Sequence, residues 1–290
     1  MTLITSLIET QEFATLPPVA AKVLQLLENE DTDIREIAEI IEADPSLTLK
    51  LLRVANSPLY AMRQNVTSIR QAIVTLGLNR LTNIVLGVSI FSRFLMKSKK
   101  ESASIMDKFW WHSSSTGILA KTLTKKIGKN YKEMEFIGGL LHDIGKLAML
   151  QFDINKYAQV IEKIEREQIM DCEAEIEIFG VDHLEVGEHI AKLWKLPDEL
   201  VDIIGHHNNP DLIDLSKELI SVVRMSDLFC EMWGASMYEG YTLIKLNETK
   251  PWMILTELNP EIKDLDFEKF TFELEEEFKK AKDFLNIISS

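Results

Sequence analysis

The sequence predicts an all-α chain, and three observations predict it. Glycine (12) and proline (8) make up few of the 290 residues, against roughly 12% in average usage, so turns are sparse and elements long. Apolar residues recur at three- and four-residue steps, and strand-like alternation is almost absent. Ser, Asp or Pro stands at the head of successive apolar stripes, where a helix start needs a side-chain acceptor or a residue without an N–H.

The elements follow in order. Leu16-Pro17-Pro18 places proline at the opening of VAAKVLQLLENE. Asp33 and Glu36 have capping-box spacing ahead of a stripe at Ile34, Ile37, Ala38, Ile40 and Ile41. Asp44-Pro45 joins an N-cap to an N1 proline and opens a helix through Leu47, Leu51, Leu52 and Ala55, which Asn56-Ser57-Pro58 stops. Ser68 caps a short helix to Leu76, and Gly77 ends it. An amphipathic segment runs from about Asn79 to Met96. The polar run from Lys97 to Ser102 is the best domain boundary in the chain. Beyond it, helices are predicted near 104–127, 132–150, 153–168, 171–180, 182–195, 197–207 and 215–237. In the tail, Phe267, Phe270, Leu274, Phe278, Ala281, Leu285 and Ile288 form one stripe with charged residues between them. This predicts a single amphipathic helix over 267–288, docked on the body; a partner or homo-oligomer surface is the alternative. The resulting division is 1–100, 101–240 and a C-terminal extension at 241–290.

Apolar residues at 46% and charged residues at 27% are ordinary globular values. They exclude a disordered chain, a collagen-like repeat and a small disulfide scaffold. Cys172 and Cys230 form no CxxC pair, and Glu9 and Glu12 appear early with no basic leader before them, so cytoplasmic residence is expected. The most apolar stretch, Leu81 to Met96, is too short for a membrane span and contains Arg93. A net charge of −14 argues against broad nucleic-acid binding. The charge is nevertheless segregated. Residues 45–100 hold no Asp or Glu but nine Lys or Arg, whereas residues 1–44 hold ten carboxylates. The basic segment reads either as a surface for an anionic partner or ligand or as an internal match to acidic neighbours, the second being preferred.

The candidate chemistry lies in the six histidines, His112, His142, His183, His189, His206 and His207, with Asp143 and Asp227. Neutral imidazole and carboxylate suit divalent first-row metals, and the lack of thiolate argues against structural zinc. Each residue also has a structural explanation. His112 follows Trp110-Trp111 and can be a core histidine. Asp182 and Glu185 have capping-box spacing, which puts His183 in a first helical turn, where the dipole keeps its ring neutral. His206 and His207 precede Asn208-Asn209-Pro210 at a helix end. Asp227 has Arg224 one turn earlier as a partner. His189 reads as surface or core.

The order His112, His142-Asp143, Asp227 resembles the His…His-Asp…Asp pattern of the HD superfamily of metal-dependent phosphohydrolases. His183 in HLEVG and the pair His206-His207 resemble its HD-GYP phosphodiesterase branch. Closer still is the resemblance to the HDOD family, carried by LPPVAAKVLQLL, ADPSLTLKLLRVANSPLY, TSIRQAIVTLGLNRL, GGLLHDIGK, HLEVGEHIAKLWKLP and IIGHHNNP, over roughly residues 13–230.

The resemblance implies an N-terminal helical subdomain followed by an HD-like helical bundle, and a role in bacterial signal transduction or regulation. Many HDOD modules lack parts of the HD ligand set, whereas here every position is filled. No GYP triplet follows His206-His207, so the substrate loop of the HD-GYP branch is missing. Two functions follow from the resemblance. The preferred one is a regulatory module acting through a protein partner. The alternative is a metal-dependent phosphohydrolase or phosphodiesterase, in which His112, His142, Asp143, His183, His206, His207 and Asp227 hold one or two divalent ions, iron or manganese. Asp143 and Lys146 would then be catalytic, with Lys146 on the phosphate.

Overall fold

Local capping decides where this chain turns. Asp33, Asp44, Ser68, Asp153, Asp182 and Asp266 each accept a hydrogen bond from a backbone N–H of the helix they precede, a contribution of about 1 kcal/mol apiece. The computed structural model describes residues 4, 6, 13, 15–27, 33–60, 62, 64–95, 103–240, 244–263, 266–279 and 281–289. Among the described residues there is helix and no strand.

The N-terminal subdomain comprises α1 (Pro18–Leu27), α2 (Ile34–Glu42), α3 (Pro45–Ala55), α4 (Ile69–Leu76) and α5 (Leu78–Leu95). The larger HD-like bundle comprises α6 (Ala103–Lys126), α7 (Met134–Leu141), α8 (Ile144–Phe152), α9 (Ile154–Glu167), α10 (Asp171–Phe179), α11 (His183–Leu193), α12 (Asp198–His206) and α13 (Lys217–Met232). Three further helices follow: α14 (Lys250–Leu258), α15 (Phe267–Phe278) and α16 (Ala281–Ser289). The predicted boundary at 97–103 lies, but for Ala103, outside the described residues.

Two expected helices are each broken in two. The segment predicted as one helix over 132–150 turns at His142 and Asp143 between α7 and α8. Asp143 has φ −95° and ψ 20°, in the sparsely used bridge region. In an unbroken helix the two side chains would diverge by about 100°; the turn lets both face one centre. The tail expected as one helix turns at Lys279, so α16 starts afresh at Ala281. Phe270, Leu274, Phe278, Ala281 and Phe284 are the buried set, and Leu285 is only half-buried. Ile288 has no described side-chain environment.

Close backbone contact holds the bundle centre. A Cβ on Gly139 of α7 would lie 2.6 Å from the Gly117 Cα of α6. The two helices approach so nearly only because both positions carry a hydrogen. The subdomains are also tied together. Phe13 stacks on Phe94 with ring centroids 4.8 Å apart, and Trp194 Nε1 donates to the Phe13 carbonyl at 2.8 Å. Glu133, just before α7, accepts from Tyr60 Oη at 2.9 Å and pairs with Arg80 Nε at 3.1 Å and with Lys121 Nζ. Lys132 and Glu133 both take left-handed φ values, 54° and 75°, which cost on the order of 1 kcal/mol each for residues with a Cβ. The polar grip on Glu133 offsets that strain. Arg70 likewise meets Glu39 at 3.6 Å, so part of the basic segment does match acidic neighbours.

Of the C-terminal helices, α14 packs on α13, while α15 and α16 cover α6 and α16 also touches α3 and α5. Phe284 packs edge-on to Phe136 of α7 and lies near Phe91 of α5. Ending the chain before Phe267 exposes these seats, each large side chain being worth roughly 1.5–3 kcal/mol of burial. The melting temperature of that truncation should fall by about 5 °C or more; an unchanged value in a thermal melt contradicts the docking role.

Candidate metal centre

Helices α6, α7, α8, α11, α12 and α13 deliver six side chains to one point in the bundle. His112 comes from the middle of α6, His142 and Asp143 from the α7–α8 turn, His183 from the first residue of α11, His207 from just past α12, and Asp227 from α13. All six are fully buried, at 0% exposure. The geometry also requires glycine at position 145, where a Cβ would lie 1.9 Å from the His183 carbonyl oxygen.

Each histidine is oriented through Nδ1. His112 Nδ1 lies 2.7 Å from the Ala235 carbonyl, His142 Nδ1 2.9 Å from the Gly139 carbonyl, and His207 Nδ1 3.2 Å from the Ile203 carbonyl. His183 Nδ1 lies 2.7 Å from Glu175 Oε2. A carbonyl or carboxylate can only accept, so each ring keeps a proton on Nδ1 and turns Nε2 inward, the atom through which it can bind either a second proton or a metal ion. The inward atoms face one another across one small space. His112 Nε2 is 3.2 Å from His142 Nε2 and 3.2 Å from Asp227 Oδ1. Asp143 Oδ2 lies 3.6 Å from His112 Nε2 and 3.5 Å from His142 Nε2. Its other oxygen, Oδ1, lies 3.4 Å from His183 Nε2 and 3.6 Å from His207 Nε2.

This donor set fits divalent metal. Bonds near 2.0–2.2 Å separate neighbouring ligand atoms by about 3.0–3.5 Å, close to the 3.2–3.6 Å seen. Asp143 Oδ1, Asp227 Oδ1, His183 Nε2 and His207 Nε2 are buried with no hydrogen-bond partner, and Asp143 Oδ2 has only its ion pair with Lys146. Such atoms cost roughly 1–3 kcal/mol each when unsatisfied, and a cation would satisfy them together. The clusters of buried His, Asp and Glu here have metal-binding geometry. Asp143 stands between two groups, with Oδ2 toward His112, His142 and Asp227 and Oδ1 toward His183 and His207, so the set can accommodate two ions as well as one.

A charged surround sets the ionisation. Burial opposes ionising Asp143, but Lys146 and then the histidines hold its carboxyl well below the usual range. Asp227 is lowered in the same way, against burial, chiefly by Arg224. Arg224 pairs with Asp227 Oδ2 and, at 2.8 Å, with Glu239 Oε2, so the structural partner expected for Asp227 is real and leaves Oδ1 for the centre. Lys146 Nζ lies 3.0 Å from Asp143 Oδ2 and 2.8 Å from Asp171 Oδ2. Burial, then His142, pushes His207 well below the ordinary histidine value. His112 is raised to about 9: burial resists its charging, but Asp227 and Asp143 outweigh it. Glu175 outweighs burial and raises the pKa of His183 well above 6.5, against the neutral ring expected from the helix dipole, so a metal at this ring would displace a proton.

His206 is not drawn into these groups; it is half-buried at the end of α12 while its neighbour His207 points inward. His189 is exposed. Sequence reasoning missed Glu175, Asp171 and Glu239. Glu175 is the most consequential, since Oε2 accepts from both the backbone N–H and Nδ1 of His183, and Oε1 from Tyr157 Oη at 3.0 Å. The only signal was the four-residue spacing of Asp171 and Glu175 on one helix, in a segment acidic throughout.

Comparison with known proteins gives a consistent picture. A family model described as the HDOD domain matches residues 13–210. An uncharacterised protein of Treponema pallidum is 27% identical over 218 residues, which are 73% of this chain and 42% of that protein; the chain thus spans less than half the length of this curated relative. An HDOD domain protein of unknown function from Geobacter sulfurreducens superposes with a TM-score of 0.74 at 24% identity, over 93% of this chain and 92% of the other. A Shewanella amazonensis protein, provisionally named a phosphohydrolase, superposes with a TM-score of 0.70 at 25% identity, over 94% of each chain. No helix among the described residues is long and apolar enough to cross a membrane.

Two substitutions test this geometry. Glu175→Gln removes the anchor of His183 and should weaken metal binding by about 10- to 100-fold with the helical circular dichroism unchanged. Gly145→Ala forces α8 away from His183 and should cost roughly 1–3 kcal/mol in denaturant unfolding. Metal affinity unaffected by Glu175→Gln contradicts the assigned orientation.

Proposed function

The chain belongs to the HDOD family, and from that membership we propose that its buried centre holds one or two divalent ions, iron or manganese, and hydrolyses a phosphate ester. The observation that carries this reading is the set of inward-facing Nε2 and carboxylate atoms, buried and lacking hydrogen-bond partners. His112, His142 and Asp227 would hold one ion, His183 and His207 a second, and Asp143 both. When bound, such ions polarise a phosphoryl oxygen and acidify water. The protein's own groups do the rest. The Nδ1 acceptors keep the four rings from turning their protons inward. Lys146 supplies a fixed positive charge beside Asp143, where it would meet a phosphate drawn to the centre. Arg224 keeps Asp227 ionised, and Tyr157 with Glu175 keeps His183 in register. His206, though next to His207, is given no ligand role.

A second reading rests on a specific observation: every one of the six ligand side chains is closed off from solvent. A centre that substrate cannot reach serves instead as a structural or sensory load, passing metal occupancy to a protein partner. Its route would be α7, which runs from Glu133, gripped by Tyr60 and Arg80 of the N-terminal subdomain, to His142.

Hydrolysis of p-nitrophenyl phosphate and bis(p-nitrophenyl) phosphate by iron- or manganese-loaded protein separates the two. The catalytic reading predicts turnover that falls to background in Asp143→Ala, together with loss of bound metal. Full occupancy without turnover of either compound ends the catalytic reading and leaves the regulatory one.

A further inference from the structure

The basic segment 45–100 is only partly absorbed by internal pairing, and two of its cations, Lys50 and Arg93, line one cavity. Between the start of α1, the first turns of α3 and the end of α5 lies a space of about 390 Å³, within the range of small-molecule sites. Lys50, Ser89, Ser92 and Arg93 line one side of it; Pro18, Val19 and Leu47 supply an apolar wall.

Lys50 is the informative residue. It is only 7% exposed, yet no carboxylate among the described residues lies within ion-pair distance of it. Its ammonium reaches Ser92 Oγ at a long 3.5 Å. Asp44, the acidic residue on the cavity wall, is already engaged, accepting the Leu47 N–H at 3.0 Å as the cap of α3. Arg93 donates to the Thr15 carbonyl at 2.5 Å and also has no carboxylate partner among the described residues. Burying an ammonium without a close counter-ion is unfavourable; burial lowers the pKa of Lys50, and the charge of Asp44 offsets only part of this. Two cations, serine hydroxyls and an apolar wall around one cavity make an environment for an anion with an apolar body.

We propose that this cavity is a binding site for a small organic oxyanion, a phosphate or carboxylate head group on a short apolar body, with Lys50 and Arg93 contacting the head. None of the metal-centre residues lines it, so it is independent of the proposed hydrolysis and would give the N-terminal subdomain a chemical input of its own.

The test titrates phenyl phosphate and benzoate into the full-length protein by calorimetry. Saturable binding of either is expected, with preference for one identifying the head group. Lys50→Met should weaken it at least about tenfold, the loss of one charge-assisted contact. It should also raise the ligand-free melting temperature, since it removes an unpaired buried charge. Asp143→Ala should bind as the parent does. The proposal is overturned if neither probe saturates, if binding survives Lys50→Met, or if it disappears in Asp143→Ala, which would put the probe at the metal centre. A lower melting temperature in Lys50→Met would make the ammonium a structural element and overturn it equally.

Discussion

Four imidazole rings are each committed through Nδ1 to an acceptor that cannot donate, and so all four present Nε2 to the same buried space. No rotation of a ring relieves this, because turning a proton inward would strand a carbonyl or Glu175. Two carboxylates add further negative charge at 3.2–3.7 Å. In a water-excluding interior such a cluster repels itself, and only positive charge, as protons on the rings or as metal ions, answers it. The surrounding Lys146 and Arg224 answer part of it from outside. The inner atoms are left for ions that accept donors from several directions at once.

Much of the fold can be understood as serving that cluster. Gly117 and Gly139 bring α6 and α7 together, which sets His112 beside His142. The break after His142 lets Asp143 point to the same side, and Gly145 admits the backbone of α11 so that His183 can arrive from the opposite wall. The N-terminal subdomain is attached at Glu133, the other end of α7, by Tyr60 and Arg80. One short helix therefore joins the subdomain junction to two ligands, giving the regulatory reading a physical connection.

Helix positions were largely legible from the sequence because caps and prolines act locally: Asp44-Pro45, Ser68 and Asp182 each start a helix where their chemistry demands. The breaks at His142-Asp143 and Lys279 were not legible. Both lie inside continuous apolar stripes, and tertiary contacts, not local preference, decide them. The pattern residues His112, His142, Asp143, His183, His207 and Asp227 were recognisable through resemblance, although spacing alone would not have brought them together. His206 shares the motif with His207, but on a helix end adjacent side chains diverge by about 100°, and only one enters. Glu175, Asp171 and Glu239 were hidden because acidic residues are common in this chain and burial is not written in residue type.

The buried ligand atoms are arranged to hold metal. Elemental analysis of protein purified without chelator, from cells supplied with iron and manganese, tests this directly. The account predicts about one or two ions per chain, as the Asp143-centred groups allow. Protein that is folded, carries no metal and takes none up on addition of either ion would contradict it.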